Sequence, residues 1–115
     1  MNWIPLNTLQ QLEKIQEISE TQPVLLFKHS TTCPISATAL NRLERNWKTD
    51  TIQPYYLDLL SYRDISRQIA QVFGIQHESP QALLIYKGTC VFDASHLAIS
   101  YQSLLAEANK LSEKV

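Results

Sequence analysis

The sequence predicts an α/β fold with a four-stranded mixed sheet, helices on both faces, and the element order α-β-α-β-α-β-β-α. Apolar residues alternate along the chain between helical spacing and short β-rich runs. A Lys-Gly pair separates the last two runs, as a tight turn between antiparallel strands would. Because a helix joins the first two strands, we expect them to be parallel with a right-handed crossover. No linker or repeat interrupts the 115 residues, which we predict to form one domain over 1–115.

The first helix and the first strand are indicated by a change in hydrophobic period. Four apolar residues recur at roughly helical spacing and predict an amphipathic helix over 8–20. They are Leu9, Leu12, Ile15 and Ile18. Pro23 follows this helix, and the apolar run VLLFKH over 24–29 predicts a buried strand.

The second helix and the second strand come after a segment that contains Cys33. The inner face of this helix is predicted to consist of Ala37, Leu40, Leu43 and Trp47. The helix should end before the polar run KTDTIQ. The run PYYLDLL over 54–60 then predicts a strand with Asp58 near its end.

The third helix has the clearest pattern in the chain. Ser61 and Asp64 resemble a capping box at its start. Gly74 suits the left-handed position that ends a helix. Between them the apolar stripe consists of Ile65, Ile69, Val72 and Phe73.

The last third of the chain predicts a hairpin and a final helix. SPQALLIY over 79–86 and TCVF over 89–92 are predicted as antiparallel strands joined at Lys87-Gly88. Ser100 can cap the helix that follows. The inner face of that helix is predicted to consist of Tyr101, Leu104, Leu105, Ala108 and Leu111.

Composition argues against several classes of function. The formal net charge of −1 provides no basic surface for nucleic acid, and no apolar run is long enough to span a bilayer. The N-terminal residues lack the charged and apolar regions of a secretory signal, so we expect a cytoplasmic protein. Separately, we expect the protein to be a monomer. Two cysteines do not make a disulfide framework, and a cytoplasmic thiol stays reduced unless it does chemistry.

The stretch FKHSTTCPIS places Cys33 directly before Pro34, a residue typical of the first helical position. Cys33 is therefore predicted to cap the second helix, with the free N–H groups of Ile35 and Ser36 directed at its sulfur. The hydroxyls of Thr32 and Ser36 could donate further hydrogen bonds. Such a position stabilises a thiolate, which is the form that attacks disulfides. The alternative is a structural cysteine in an ordinary turn.

The order of elements around this cysteine resembles the thioredoxin-like proteins. They share a strand, a Cys-Pro-x-Ser helix start, and a β-α-β-β-α continuation in which a proline opens the third strand. The segment VFGIQHESPQALLIYKG over 72–88 is similar to the thioredoxin segment that contains a cis proline. The resemblance implies a thioredoxin-like fold with Pro80 at the cis position. It also implies that the backbone of Ser79 pairs with bound substrate.

FKHSTTCPIS, together with HESPQ and the later ASH, more narrowly resembles the YtxJ-like monothiol bacilliredoxins. Those proteins remove bacillithiol from mixed disulfides with other proteins. The resemblance implies that Cys33 is the nucleophile and that Ser36 replaces a resolving cysteine. A second thiol, either free bacillithiol or another redoxin, must then regenerate Cys33. Bacillithiol carries a malate, so Lys28 and His29 become candidates for contacting it.

The same resemblance implies the partners and cofactors. The partners are bacillithiolated client proteins and a low-molecular-weight thiol. No tightly bound cofactor is expected, and bacillithiol acts as a co-substrate. Thioredoxins carry a buried Asp six residues before the nucleophile, where this chain has Phe27. That acid assists a second cysteine, so its loss agrees with the loss of that cysteine.

Two other functions remain open at this point. One is a catalytically silent thioredoxin-like module that binds a peptide beside Pro80. The other is an iron–sulfur carrier like the monothiol glutaredoxins, although those proteins usually have Gly where this chain has Pro34.

The remaining cysteine and the histidines give no second site. Cys90 follows the far turn of the predicted hairpin, about 15–20 Å from Cys33 and beyond disulfide reach. We interpret it as a packed strand cysteine. No two of the histidines and cysteines have a metal-ligand spacing, so no metal site is predicted. Solvated positions are expected for His77 and His96, whereas His29, four residues before Cys33, is either solvated at the strand end or tunes the thiolate.

Overall fold

A five-stranded mixed sheet forms the centre of the fold, in the computed structural model that describes residues 1–113. Its strands are β1 (Ile4–Pro5), β2 (Val24–His29), β3 (Gln53–Asp58), β4 (Gln81–Tyr86) and β5 (Thr89–Ser95). The helices are α1 (Gln10–Ile18), α2 (Pro34–Asn46), α3 (Arg63–Phe73) and α4 (Tyr101–Glu113), with a 3₁₀ turn over His96–Ala98. The strands lie in the order β1-β3-β2-β4-β5, with β2 parallel to β3 and antiparallel to β4. The predicted fold class is confirmed.

The first strand is the element that the sequence pattern missed. Only Ile4 and Pro5 pair with β3, and the Leu6 N–H extends this edge by donating to Tyr56 O at 2.8 Å. Two residues are too few to show the period-two alternation that indicates a strand. The predicted four-stranded sheet is therefore five-stranded.

Alternating residues of β2 supply two separate cores. Val24 and Leu26 face the core that contains α1 and α3. Leu25 and Phe27 face the core that contains α2 and α4. Because side chains alternate along a strand, the next two residues of β2 must point to opposite faces of the sheet. This alternation positions the polar groups described below.

Several predicted details of the helices are wrong. Leu9 is 44% exposed and precedes α1 instead of packing inside it. Ala37 is exposed on α2, and Ala39 faces the core in its place. The predicted capping box does not form, because the Ser61 hydroxyl donates to Asp58 Oδ2 at 3.0 Å and α3 begins after Tyr62.

The predicted strands match the observed ones with shifted ends. The strand predicted over 54–60 ends at Asp58, because the chain turns there and the Tyr62 N–H donates to Asp58 O at 3.0 Å. The strand predicted over 79–86 begins at Gln81. The strand predicted over 89–92 continues to Ser95, since it stays paired with β4 along its length.

The predicted helix cap and turns are confirmed at three places. Gly74 ends α3 with φ of +64°. Lys87 and Gly88 form the hairpin turn with φ of +51° and +77°. Ser100 Oγ accepts the N–H of Ser103 at 3.1 Å at the start of α4.

Among residues 1–113, no helix combines the length and the apolar character that crossing a bilayer requires.

Replacing Gly74 tests how strongly this left-handed residue supports the fold. A Cβ at Gly74 would meet no atom within 4 Å, so the cost of Gly74→Ala is conformational alone. We expect Gly74→Ala to lower the free energy of unfolding by about 1 kcal/mol. Urea denaturation measures this. Gly74→Asn should cost less, because Asn tolerates the left-handed region, and equal losses for both variants would contradict the explanation.

Candidate active site

Cys33 lies where the central strand β2 gives way to helix α2. Its backbone is extended, with φ of −105° and ψ of +119°, and Pro34 is the first residue of the helix. The Cys33 N–H donates to Ser30 O at 3.2 Å, and Cys33 O accepts the Ala37 N–H at 3.1 Å. The side chain is half-buried. The predicted capping position of Cys33 is therefore confirmed.

The residues predicted to stabilise the thiolate surround Cys33 in different ways. Pro34 and Ile35 are exposed in the first turn of α2, whose unpaired N–H groups point toward the cap. The Thr32 hydroxyl lies 3.3 Å from Ser30 Oγ. Within residues 1–113 the Cys33 side chain makes no capping hydrogen bond. The helix start, with its positive dipole end, is therefore what the local structure presents to the sulfur.

Ser36 occupies the position at which a resolving cysteine would stand. Its side chain has no exposed surface. Ser36 Oγ accepts the Ser30 N–H at 3.0 Å and lies 2.7 Å from His29 Nδ1. These contacts use the hydroxyl to join the end of β2 to α2, so they direct it away from the predicted role beside the Cys33 sulfur.

His29 is buried, contrary to the expectation of a solvated strand-end residue. Only 5% of it is exposed. Its ring lies 5.5 Å from the ring of Tyr56 and 6.0 Å from that of Phe27. Burial lowers the pKa of His29, and the negative charges of Asp58 and Glu44 oppose that shift. We therefore assign a neutral ring that accepts the Ser36 hydroxyl proton at Nδ1.

Lys28 points to the opposite face of the sheet and is also buried, with 1% exposed. Its ammonium donates to Gln81 Oε1 at 3.0 Å and lies 2.6 Å from His77 Nδ1. Burial lowers the pKa of Lys28 to about 8, and the charge of Glu78 partly offsets this. Lys28 is therefore a buried, hydrogen-bonded cation and not a strand-end charge in water.

These positions bear on the predicted bacillithiol contacts. The Lys28 ammonium and His29 Nδ1 are bonded to neighbours inside the protein. Both side chains are buried, with at most 5% of either residue exposed. Direct contact of either residue with a small thiol stays a prediction, and this geometry disfavours it.

The Ser79-Pro80 peptide bond is cis. Gln81 pairs with Lys28 in the sheet, so Pro80 lies beside the end of β2 from which the Cys33 loop departs. Pro80 O accepts the His96 N–H at 3.1 Å. Over residues 1–113 the N–H and C=O of Ser79 have no backbone partner. Ser79 therefore keeps a free backbone edge next to the cysteine loop.

This edge is held in place by Gln81, which no motif singles out, and by His77, for which a solvated position is expected from the sequence. Gln81 Nε2 donates to Gln76 O at 3.0 Å, and Gln81 Oε1 accepts the Glu78 N–H at 3.3 Å. His77 also lies 3.4 Å from Ser66 Oγ. No local pattern identifies such residues, because their partners come from three separate segments of the chain. A lysine inside an apolar strand was the one available signal.

Cys90 lies far from Cys33 along the sheet. It pairs with Ile85, which pairs with Val24 at the opposite end of β2 from His29. Five residues of strand correspond to about 16 Å. Cys90 Sγ donates to Phe92 O at 3.3 Å, and burial raises its pKa to about 11. Both thiols are free, and the packed strand position is confirmed.

Comparison with known proteins identifies the family. The family model described as monothiol bacilliredoxin BrxC matches residues 4–104. The chain belongs to the monothiol bacilliredoxin family. Family membership and the fold together support a thiol redox role for this bacilliredoxin.

Solved structures similar to this chain have the thioredoxin fold. A protein described as having a thioredoxin fold, and provisionally as an oxidoreductase, is 36% identical, with a TM-score of 0.78 and 92% of each chain covered. Thioredoxin from Malassezia sympodialis (Mala s 13) is 17% identical with a TM-score of 0.71, over 95% of this chain and 90% of that one. Thioredoxin from Trypanosoma brucei brucei is 12% identical with a TM-score of 0.74, over 97% and 92%. The two thioredoxins show the fold alone.

The buried ammonium of Lys28 predicts a distinct pH dependence of stability. Its pKa falls from the ordinary 10.5 to about 8 on folding, so the unfolded chain binds the proton more tightly. The penalty of burying the charge is fully present below about pH 8 and is relieved as pH rises toward 10.5. Lys28→Met removes the titrating group. We therefore expect the stability of this variant, relative to the wild type, to fall as pH rises through that window.

Urea denaturation of both proteins at about pH 7 and about pH 10 measures this difference. Lys14→Met, at an exposed position on α1, is the matched control. A Lys28→Met difference that stays constant with pH would show that Lys28 is not a buried, titrating charge.

Proposed function

We propose that this bacilliredoxin removes bacillithiol from mixed disulfides with client proteins, using Cys33 as the nucleophile. The observation that carries the proposal is one half-buried sulfur at a helix start, beside the free backbone edge of Ser79. The position of a second thiol is filled by Ser36, whose hydroxyl is bonded elsewhere. A site of this kind forms a mixed disulfide and has no internal thiol with which to resolve it.

The first step exchanges one disulfide for another. The Cys33 thiolate attacks the bacillithiol sulfur of the client's mixed disulfide. The client–bacillithiol S–S bond breaks, the client thiolate leaves with the electron pair and takes a proton from water, and a Cys33–bacillithiol disulfide forms. The backbone of Ser79 would align the disulfide-bearing segment by a short β-like pairing.

The second step needs a thiol from outside the chain. A bacillithiol thiolate attacks the bacillithiol sulfur on Cys33, which releases the Cys33 thiolate and bacillithiol disulfide. A separate redoxin could supply the same electrons. Cys90 is a poor substitute, because its pKa of about 11 keeps it protonated near neutral pH and it lies at the far end of the sheet.

The partners and the cellular compartment that we propose follow from this chemistry. The clients are bacillithiolated proteins, and bacillithiol is a co-substrate, with no tightly bound cofactor in the cycle. We propose that the protein acts as a monomer in the cytoplasm, where small thiols keep such disulfides transient.

Incubation with a bacillithiolated client protein tests the first step. Intact-mass analysis should show one bacillithiol added to this chain at Cys33, together with an equal amount of reduced client. Cys33→Ser should give neither product, whereas Cys90→Ser should behave as the wild type does. A client that stays bacillithiolated with the wild-type protein would overturn the proposal and favour a non-catalytic binding module.

Restoring a second thiol should change where the reaction stops. Cys33 caps α2 and residue 36 lies in its first turn, so two cysteines at these positions can approach within disulfide range. Without added thiol, the wild type should stop at the Cys33 adduct. Ser36→Cys should instead release bacillithiol and form an internal disulfide, detected by non-reducing mass analysis. Ser36→Ala controls for loss of the hydroxyl, and a stable adduct on Ser36→Cys would contradict the assigned geometry.

A further inference from the structure

A pocket of about 410 Å³ opens between the start of α3 and the loop that precedes Ser79. Pockets of this size hold small molecules. Its walls are lined by Leu59, Leu60, Arg63, Ser66, Arg67, Ala70, Gln71 and His77. Nothing in the redox step described above uses it.

The pocket has the charge of an anion site. Arg63 and Arg67 are exposed, lie one helical turn apart, and therefore project from one side of α3. Neither guanidinium has an ion-pair partner within residues 1–113, whose recorded pairs are His96–Glu78 and Lys110–Glu107. Guanidinium groups bind carboxylates through paired, charge-assisted hydrogen bonds.

A third cation lies under the pocket floor. The Lys28 ammonium is 2.6 Å from His77 Nδ1, and both His77 and Ser66 line the pocket. The acid whose charge raises the pKa of Lys28 is Glu78, and Glu78 Oε2 lies 3.9 Å from His96 Nε2. Positive charge therefore predominates at the pocket.

The pocket adjoins the redox site on two sides. The Leu59 N–H donates to His29 O at 3.1 Å, so one wall is bonded to the strand end that leads into the Cys33 loop. His77, on the other wall, lies two residues before Ser79 and its cis peptide. A small molecule in the pocket would have one end near these two segments.

We propose that the α3 pocket binds the carboxylates of the small-thiol half of the mixed disulfide, with Arg63 and Arg67 as the recognition residues. This inference rests on the proposed function, and it adds the residues that recognise the two carboxylates of the malate of bacillithiol. The apolar side chains of Leu59, Leu60 and Ala70 contact the body of the molecule. The same carboxylate chemistry could come from an acidic side chain of the client, and the test separates the two sources.

The test compares two disulfides of one client protein. One carries bacillithiol, whose malate has two carboxylates, and the other carries the same thiol without its malate group. The double variant Arg63→Gln/Arg67→Gln keeps helix propensity and removes both charges. We expect its kcat/KM to fall about five- to tenfold on the bacillithiol disulfide and to stay unchanged on the disulfide of the malate-free thiol.

Arg45→Gln is the matched control, because Arg45 is an exposed arginine in the last turn of α2. It should leave both rates unchanged. Equal losses on both disulfides in the double variant would overturn the inference and assign the arginines to the client or to the fold. Equal rates for the double variant and the wild type would also overturn it.

A binding measurement separates this inference from the redox proposal. Cys33→Ser protein titrated with reduced mercaptosuccinate, a small thiol with two carboxylates, should show amide chemical-shift changes over 63–67. Titration with mercaptoethanol, which has no carboxylate, should produce no such changes. The added Arg63→Gln/Arg67→Gln changes should abolish the shifts seen with mercaptosuccinate. If the wild type fails on the bacillithiolated client while this selective binding persists, the proposed function fails and the pocket assignment stands. If the shifts are absent, the pocket assignment fails by itself.

Discussion

A single buried hydroxyl joins the end of the central strand to the first turn of the second helix, and the geometry of the site depends on it. Ser36 Oγ accepts the Ser30 N–H and contacts His29 Nδ1, in a position without exposed surface. These bonds hold both ends of the short loop that carries Cys33. They also fill the place at which a second thiol would stand. In the proposed reaction, Cys33 therefore forms a disulfide by itself, and a thiol of another molecule resolves it.

A different polar network lies on each face of the sheet at the end of β2 that leads to Cys33. Lys28 and His29 are neighbours in sequence, yet alternation sends one toward α3 and the other toward α2. Burying a lysine is costly unless its ammonium is hydrogen-bonded, and Gln81 and His77 supply the partners. The same partners fix the loop before the cis peptide. The hydrogen bonds that the buried Lys28 ammonium requires thus help to fix the backbone segment before the Ser79-Pro80 peptide.

On the face of the sheet covered by α2 and α4, Phe27 stands where thioredoxins carry a buried Asp. Phe27 is fully buried, stacks with Trp3 at 5.6 Å, and packs against His29. Trp3 reaches this position because the N-terminal residues form the edge strand beside β3. Apolar contacts therefore fill the region under the active-site loop, and the neutral form of His29 is favoured there.

The sequence by itself determined the order of elements, the Cys33 cap before Pro34, the left-handed Gly74, and the hairpin turn at Lys87-Gly88. Each of these depends on residues a few positions apart, so local period and turn chemistry are enough to predict them. The two-residue edge strand, the burial of Lys28 and His29, the Ser36 bonds and the arginine-lined pocket were decided by tertiary structure. Most of their partners lie tens of residues away, and the Ser36 bonds, to residues six and seven positions earlier, depend on how β2 and α2 pack. The local sequence around a polar residue near a strand end is the same whether water or protein atoms bond to it.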